Sequence, residues 1–180
     1  MITKNFKAII ACLLQSSSTS GNSGGLIPVK DTSGTTQYLS SKFSAFPYTV
    51  GTTVRISTGS QAGIWLGTGT TQPTENDYNL ESRITSGLSA STPTITYGVD
   101  ISGNPYKELL FTLTNTTSSD ISISEIGFFQ ESFVAATQGA IPGSSATAIM
   151  LDRTVLSTPV TVPANDSAAI KYTLKTVMPS

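Results

Sequence analysis

The sequence predicts an all-β chain, an antiparallel β-sandwich of Ig-like or jelly-roll-like type with a short N-terminal amphipathic helix. Three observations lead there. Across residues 120–175 apolar residues alternate with polar ones: Ile121 and Ile123, then Ile149 and Leu151, then Val160, Val162, Ala168, Ile170, Tyr172 and Leu174. Such period-2 alternation puts one face of each strand in a core and leaves the other wet, as in antiparallel sheets. Turn residues recur at the spacing of a sandwich and divide the chain into about eight to ten short strands. Helical periodicity is read in one place, the first fifteen residues.

Length and composition narrow the field. At 180 residues the chain suits one well-buried domain. The expected layout is a docking helix at residues 1–15, a flexible linker at 16–25 and a single β-sandwich domain at 26–180. Charged residues make up 12% and the net charge is −1, so no basic stripe exists to neutralise phosphates and no nucleic-acid partner is expected. Low net charge also removes a repulsive barrier to self-association. The single Cys excludes an intrachain disulfide. The lack of His excludes Ser-His-Asp and Cys-His catalysis, His-ligated zinc and histidine-based pH switching. No apolar run reaches the ~20 residues of a membrane span, so no membrane partner is expected.

Taken in order, the first twenty residues admit three readings. Lys4 and Lys7 ahead of an apolar run resemble a secretory signal, and Ile9-Ile10-Ala11-Cys12 resembles a lipoprotein cleavage box with Cys12 as the lipidated residue. The third reading is a helix: Phe6, Ile9, Ile10, Leu13 and Leu14 fall on one stripe, with Thr3 as N-cap. It is preferred because the apolar run at 8–14 is at the short limit for a signal core. So short a helix needs a surface to pack on, either its own domain or a neighbouring subunit. Cys12 is then a small buried apolar residue on it.

Residues 15–25 read as a flexible connector, and 26–29 with 36–39 as a short hairpin. Phe43, Phe46, Pro47 and Tyr48 are expected in a loop capping one end of the core. Val54 and Ile56 should pair with Ile64 and Leu66 around a turn at 58–61. Trp65 then points away from Ile64 and Leu66, and burial is favoured over a sugar-stacking platform. Residues 67–84 form a long loop with Glu75, Asp77 and Glu81. The spacing fits neither a phosphate loop nor an EF-hand, so a solvated loop is expected.

Ile95, Tyr97 and Val99 alternate in the next strand, and a turn at 102–105 leads to Leu109, Phe111 and Leu113. The apolar parity switches between Ile123 and Ile126, which predicts a β-bulge near Ser124-Glu125 or a crossing between sheets. Residues 130–145 read as a long small-residue loop that contacts another subunit. Pro163-Ala164-Asn165-Asp166 carries turn chemistry and predicts a hairpin between 160–162 and 168–174.

Of the eleven acids, Glu108, Glu125 and Asp152 lie in or beside strands. Asp152 and Arg153 are adjacent on one strand and face opposite ways, so Glu125 is the expected cross-strand partner of Arg153. No catalytic residue, cofactor or metal is assigned, and the chain is read as non-enzymatic.

The run GIWLGTGTTQPTENDYNLESRITSGL, then SISEIGFFQ, then IMLDRTVLSTPVTVPANDSAAIKYTL resembles a family of tailed-phage virion proteins. These are small β-rich structural proteins of tails, fibres and minor components. The likeness lies in a GTGTT-x-P-T-x-x-D-Y-x-L loop, an EIG strand at residues 125–129 and an LxRTV…PVTVPAxxS segment at 151–167, within residues 63–174. It implies a virion location and a non-enzymatic tail, collar or fibre-associated subunit in symmetric copies, with itself and other virion proteins as partners. Phe6, Ile9, Ile10, Leu13 and Leu14, with loops 67–82 and 130–145, would then supply the interfaces. The alternatives are a carbohydrate- or receptor-binding module meeting a host-surface glycan or receptor through Trp65, Tyr78 or Tyr106, a head decoration protein, and a lipoprotein anchored at Cys12.

Overall fold

The computed structural model describes residues 1–14, 27–39, 49–50, 53–56, 62–140 and 146–175. The linker at 16–25, the aromatic cluster at 43–48 and the side chains of Cys12, Leu13 and Leu14 lie outside the described residues. Among those described are one helix, α1 (Lys4–Leu14), and ten strands: β1 (Ile27–Lys30), β2 (Thr36–Leu39), β3 (Thr49–Val50), β4 (Gly63–Gly67), β5 (Leu88–Ala90), β6 (Thr94–Val99), β7 (Pro105–Asn115), β8 (Ile121–Phe133), β9 (Ala146–Val162) and β10 (Ser167–Lys175).

The strands form an antiparallel sandwich with a separate β1–β2 hairpin. In the first sheet β7 is central. It pairs with β10 along one edge and, end to end along the other, with β6 and β5. In the second sheet β8 is central, with β9 on one edge and β4 and β3 end to end on the other. Leu109, Phe111, Leu113, Ile170 and Tyr172 of the first sheet face Ile64, Leu66, Ile123, Ile126, Phe128, Ile149 and Leu151 of the second in one apolar core.

The register between β8 and β9 shifts between Ile123 and Glu125, where the parity of the sequence changes. Ile123 pairs with Val160 and Glu125 with Val155, so Ser124 lies opposite the longer β9 segment 156–159. The shift keeps Ile121, Ile123, Ile126 and Phe128 all on the core side, which an unbroken strand could not do.

Segment 163–166 departs from the predicted hairpin. Val160 and Val162 pair with β8, whereas β10 pairs with β7, so this turn is a corner between the sheets. The connection 116–120 crosses beside it, and the two are tied together. Asn165 N donates to Thr117 O at 3.1 Å, Ala164 N to Asp120 Oδ1 at 3.0 Å, and Asn115 Nδ2 to Val162 O at 3.0 Å. Asn165 takes the left-handed φ of 56° that its short side chain tolerates. Turn chemistry reverses a chain but does not choose the strand that accepts the returning segment; here β7 does, so β7–β8 and β9–β10 form one long antiparallel ribbon folded across the two sheets at these paired connections.

Three further elements differ from the reading of the sequence. Val54 makes one parallel bridge to Ile64, through Arg55 N to Ile64 O at 2.9 Å and Ile64 N to Thr53 O at 3.0 Å, in place of an antiparallel strand pair. The start of the expected loop 130–145 belongs to β8, which runs to Phe133 because β9 offers pairing partners from Ala146 onward. Tyr97 and Val99 share the inward face of β6 with Ile95 but are 71% and 66% exposed, since the second sheet does not reach over them.

The helix sits on its own domain. Thr3 caps it, accepting from Phe6 N at 3.4 Å, while its hydroxyl donates to Met150 O at 2.8 Å. Asn5 pairs both ways with the backbone of Lys30, at 2.8 Å each, and residue 2 bridges the outer edge of β9 at Asp152. Ile9 is buried in the sandwich core and Phe6 packs against it, whereas Ile10 is exposed. Two residues of the predicted docking stripe are therefore engaged within the chain itself, because the apolar surface nearest the helix is that of β1 and β9.

Candidate functional site

Two places collect side chains with chemical potential. The first lies on the outer face of the second sheet, under loop 68–84. Glu125, Gly127 and Phe129 point outward from β8, as do Trp65 from β4 and Met150 from β9. Trp65, Leu80, Phe129, Ala148 and Met150 make a second apolar cluster there. The rings of Trp65 and Phe129 stack at 3.8 Å, and the guanidinium of Arg83 lies 3.4 Å over the Trp65 ring. Burial lowers the Arg83 pKa to about 10. Gly127 lets this layer form, because a Cβ there would stand 2.6 Å from the Phe129 ring and 2.8 Å from Leu80.

Beside this cluster Arg153 binds three carboxylates. Its Nε meets Glu125 Oε2 at 2.8 Å, Nη1 meets Asp77 Oδ2 at 2.8 Å, and Nη2 meets Glu81 Oε2 at 3.5 Å. Glu125 is fully buried and accepts three backbone N–H groups as well: Gly69 at 3.1 Å, Ser82 at 2.8 Å and Glu81 at 3.2 Å. Glu81 in turn accepts Thr70 N and Thr71 N at 2.9 Å and the Thr71 hydroxyl at 2.8 Å. A buried charge is tolerated when each of its oxygens is paired in this way.

Burial opposes ionisation of Asp77, but the hydrogen bonds from Arg153 and Thr74 outweigh it and hold the pKa below its ordinary value. The Thr71 amide and hydroxyl do the same for Glu81. The loop expected to be solvated is thus anchored by its own acids, with Arg153 as their cation. Glu75 holds Lys7 at 2.7 Å and Lys4 at 3.4 Å, which ties the loop to the helix as well. Among the described residues no group of three or more His, Cys, Asp or Glu is arranged to hold a metal ion.

Above the ion cluster opens a polar groove of about 500 Å³, lined by Thr32, Ser33, Asn76, Asp77, Tyr78 and Asn79 among others. Tyr78 is 40% exposed, with its ring over Gly34, and Asn79 Nδ2 donates to Thr32 O at 2.9 Å. Of the three aromatics predicted to face a ligand, only Tyr78 borders this groove. Trp65 is 2% exposed with both ring faces taken, so it offers no platform. Tyr106 is half-buried, its ring laid across Gly98 on the outer face of the first sheet.

The second place is the open end of the sandwich. A cavity of about 460 Å³ lies between the sheets there, with walls that include Ile2, Phe6, Pro105, Phe128, Leu151 and Leu174. Its polar rim includes Asp152, which accepts the Tyr172 hydroxyl at 2.9 Å and the Thr154 hydroxyl at 3.1 Å. Burial, then the Asp152 charge, pushes the Tyr172 phenol well above its ordinary pKa. Lys107 and Lys175 complete the rim, and Lys175 pairs with Asp100. Asp100 is held well below its ordinary pKa by Lys175 and by the amides of the 100–104 turn. Of the candidate site residues singled out in the sequence, Phe6 and Tyr106 border this cavity, but the end as a whole was not expected. The signal present was Ile101, an aliphatic residue in the otherwise polar turn Asp100-Ile101-Ser102-Gly103-Asn104.

The fold and its anchored loop define an all-β antiparallel sandwich protein. No protein-family model, curated protein or solved structure matches the chain. No helix among the described residues is long and apolar enough to cross a membrane.

Proposed function

We propose that the chain is a non-enzymatic virion structural subunit of a tailed phage, associated with the tail, collar or a fibre and present in symmetric copies. The observation that carries this reading is how the motif residues of the resemblance are used. Gly67 and Gly69 of the GTGTT loop, Glu125 of the EIG strand, and Arg153 of the LxRTV segment come from three distant stretches and meet at one buried ion cluster, while Gly127 of the EIG strand admits the apolar cluster beside it. Their chemistry goes into fixing a loop on a sheet, which suits a rigid building block. With Phe6 and Ile9 packed inside the chain, assembly falls to other surfaces. Quantitative mass spectrometry of density-purified particles tests the reading. A fixed ratio of a few to a dozen copies per particle is expected. Hundreds of copies would move the protein to head decoration, and absence from particles would overturn the proposal.

A second reading, a saccharide-binding module, draws on the Tyr78 groove, where a half-open aromatic ring neighbours two amides and two carboxylates. Glycan-array binding that Tyr78→Ala abolishes without loss of folding would favour it. An array without hits would end it.

A further inference from the structure

We infer that the open end of the sandwich is a self-association surface, on which a second copy of this chain docks in a two-fold arrangement. The starting point is a conflict between sequence and exposure. Ile95, Tyr97 and Val99 alternate as a strand codes for a core, and register with Leu109 puts them on the inner face. Yet Tyr97 and Val99 lie open, and Ile101 in the turn beyond them is fully exposed. An apolar pattern that one chain leaves uncovered is accounted for when a partner covers it.

Shape points to the partner. The exposed knob formed by Tyr97, Val99 and Ile101 adjoins the cavity on the same end, because Val99 pairs with Pro105 and Tyr97 with Lys107, both of which line it. Knob and hollow side by side on one surface are self-complementary. In an isologous contact each copy's knob faces the other's hollow, and the contact closes. The hollow is walled mainly by aliphatic and aromatic side chains, the chemistry that an Ile and a Val would fill.

Charge and area agree. The rim carries both signs, Lys107 and Lys175 with Asp100 and Asp152, and the chain's net charge is −1, so two copies meet without a like-charge barrier. Ile2, Tyr97, Val99 and Ile101 expose on the order of 500 Å² before the cavity walls are counted, against about 800 Å² per partner in a standard interface. That predicts a reversible dimer of moderate affinity.

This inference deepens the assembly reading by naming its surface, and the two can fail separately. A chain counted in particles but monomeric in solution overturns only the inference, and a dimer absent from particles overturns only the reading. The test is analytical ultracentrifugation of the full chain up to about 200 μM, where contacts of micromolar strength are populated. The wild type should dimerise, and Ile101→Asp should weaken the dimer by about 100-fold, the scale of a lost hot spot. Because Ile101 is fully exposed, the variant should melt at the wild-type temperature at a dilution where the wild type is itself monomeric; a Tyr97→Ser/Val99→Ser variant gives an independent check on the same surface. A monomeric wild type, dimers that both variants leave intact, or a larger closed ring would overturn the two-fold contact. So would a monomer that binds the apolar dye anilinonaphthalene sulfonate at this end or co-sediments with phosphatidylcholine vesicles, which would assign the surface to a small ligand or to lipid.

Discussion

Arg153→Met removes the cation at the centre of the loop anchor while keeping an unbranched apolar stem of similar reach. The change breaks the 2.8 Å bonds to Glu125 and Asp77 and the longer contact to Glu81. Asp77 and Glu81 can turn toward water, but Glu125 is fully buried and cannot. Removing one partner of a buried ion pair costs about 3–5 kcal/mol. The three amides that still donate to Glu125 keep part of its charge compensated, so the lower end, about 3 kcal/mol, is expected. For a chain of this size that lowers the melting temperature by roughly 6–12 °C. Urea denaturation gives the free energy, and hydrogen exchange at Gly69, Thr70, Thr71, Glu81 and Ser82 reports on the anchor itself, since these amides donate to the carboxylates. Glu125→Gln closes a double-mutant cycle, in which a coupling above about 1.5 kcal/mol is expected for a direct buried pair. If Arg153→Met stays within about 0.5 kcal/mol of wild type, as ordinary surface changes do, and the amides keep their protection, the anchor does not hold the loop and the argument fails.

Three other outcomes follow from the same structure. Gly69→Ala puts a Cβ 2.5 Å from the Glu81 Cβ and 2.6 Å from Glu125 Oε1. It should cost about 1–3 kcal/mol, as overpacking does, read as a lower urea midpoint at unchanged slope; an unaltered midpoint would contradict the close approach. Ile9→Ala opens a hole where α1 enters the core and should cost about 2–4 kcal/mol, whereas a helix standing apart from the body would lose almost nothing. The depressed pKa values of Asp77 and Glu81 contribute to the pH response alongside those of Asp31, Glu75 and Asp100: Asp77 and Glu81 each contribute stability in full above the unfolded value, 3.8 and 4.5, and lose it as pH falls through the lower native value. The melting temperature should thus be flat from about pH 7 to 5 and fall below about 4, and in Arg153→Met that fall should be shallower.

Local sequence was enough for much of the candidate site's framework. The parity change between Ile123 and Ile126 marked the bulge, because side chains alternate with a period of two and a core face cannot switch without an extra residue. Adjacent Asp152 and Arg153 had to diverge, which left Glu125 as the partner found at 2.8 Å. Thr3 as helix cap followed from the apolar stripe behind it. The acids of loop 68–84, in contrast, looked solvated, because nothing in the order of residues says that Arg153, about seventy positions away, reaches Asp77 and Glu81.

By itself the sequence determined most of the strands, their inward faces, the bulge and the capped helix, all set by backbone geometry and neighbours a few residues apart. Tertiary structure alone decided where 163–166 would send the chain, since β10 took the free edge of β7 in the facing sheet and not that of β9. It also decided that the helix stripe would rest on β1 and β9, and that Tyr97, Val99 and Ile101 would be left beyond the reach of the facing sheet. Those outcomes depend on which surfaces meet across the fold, and a period-2 pattern specifies a face to be covered without specifying what covers it.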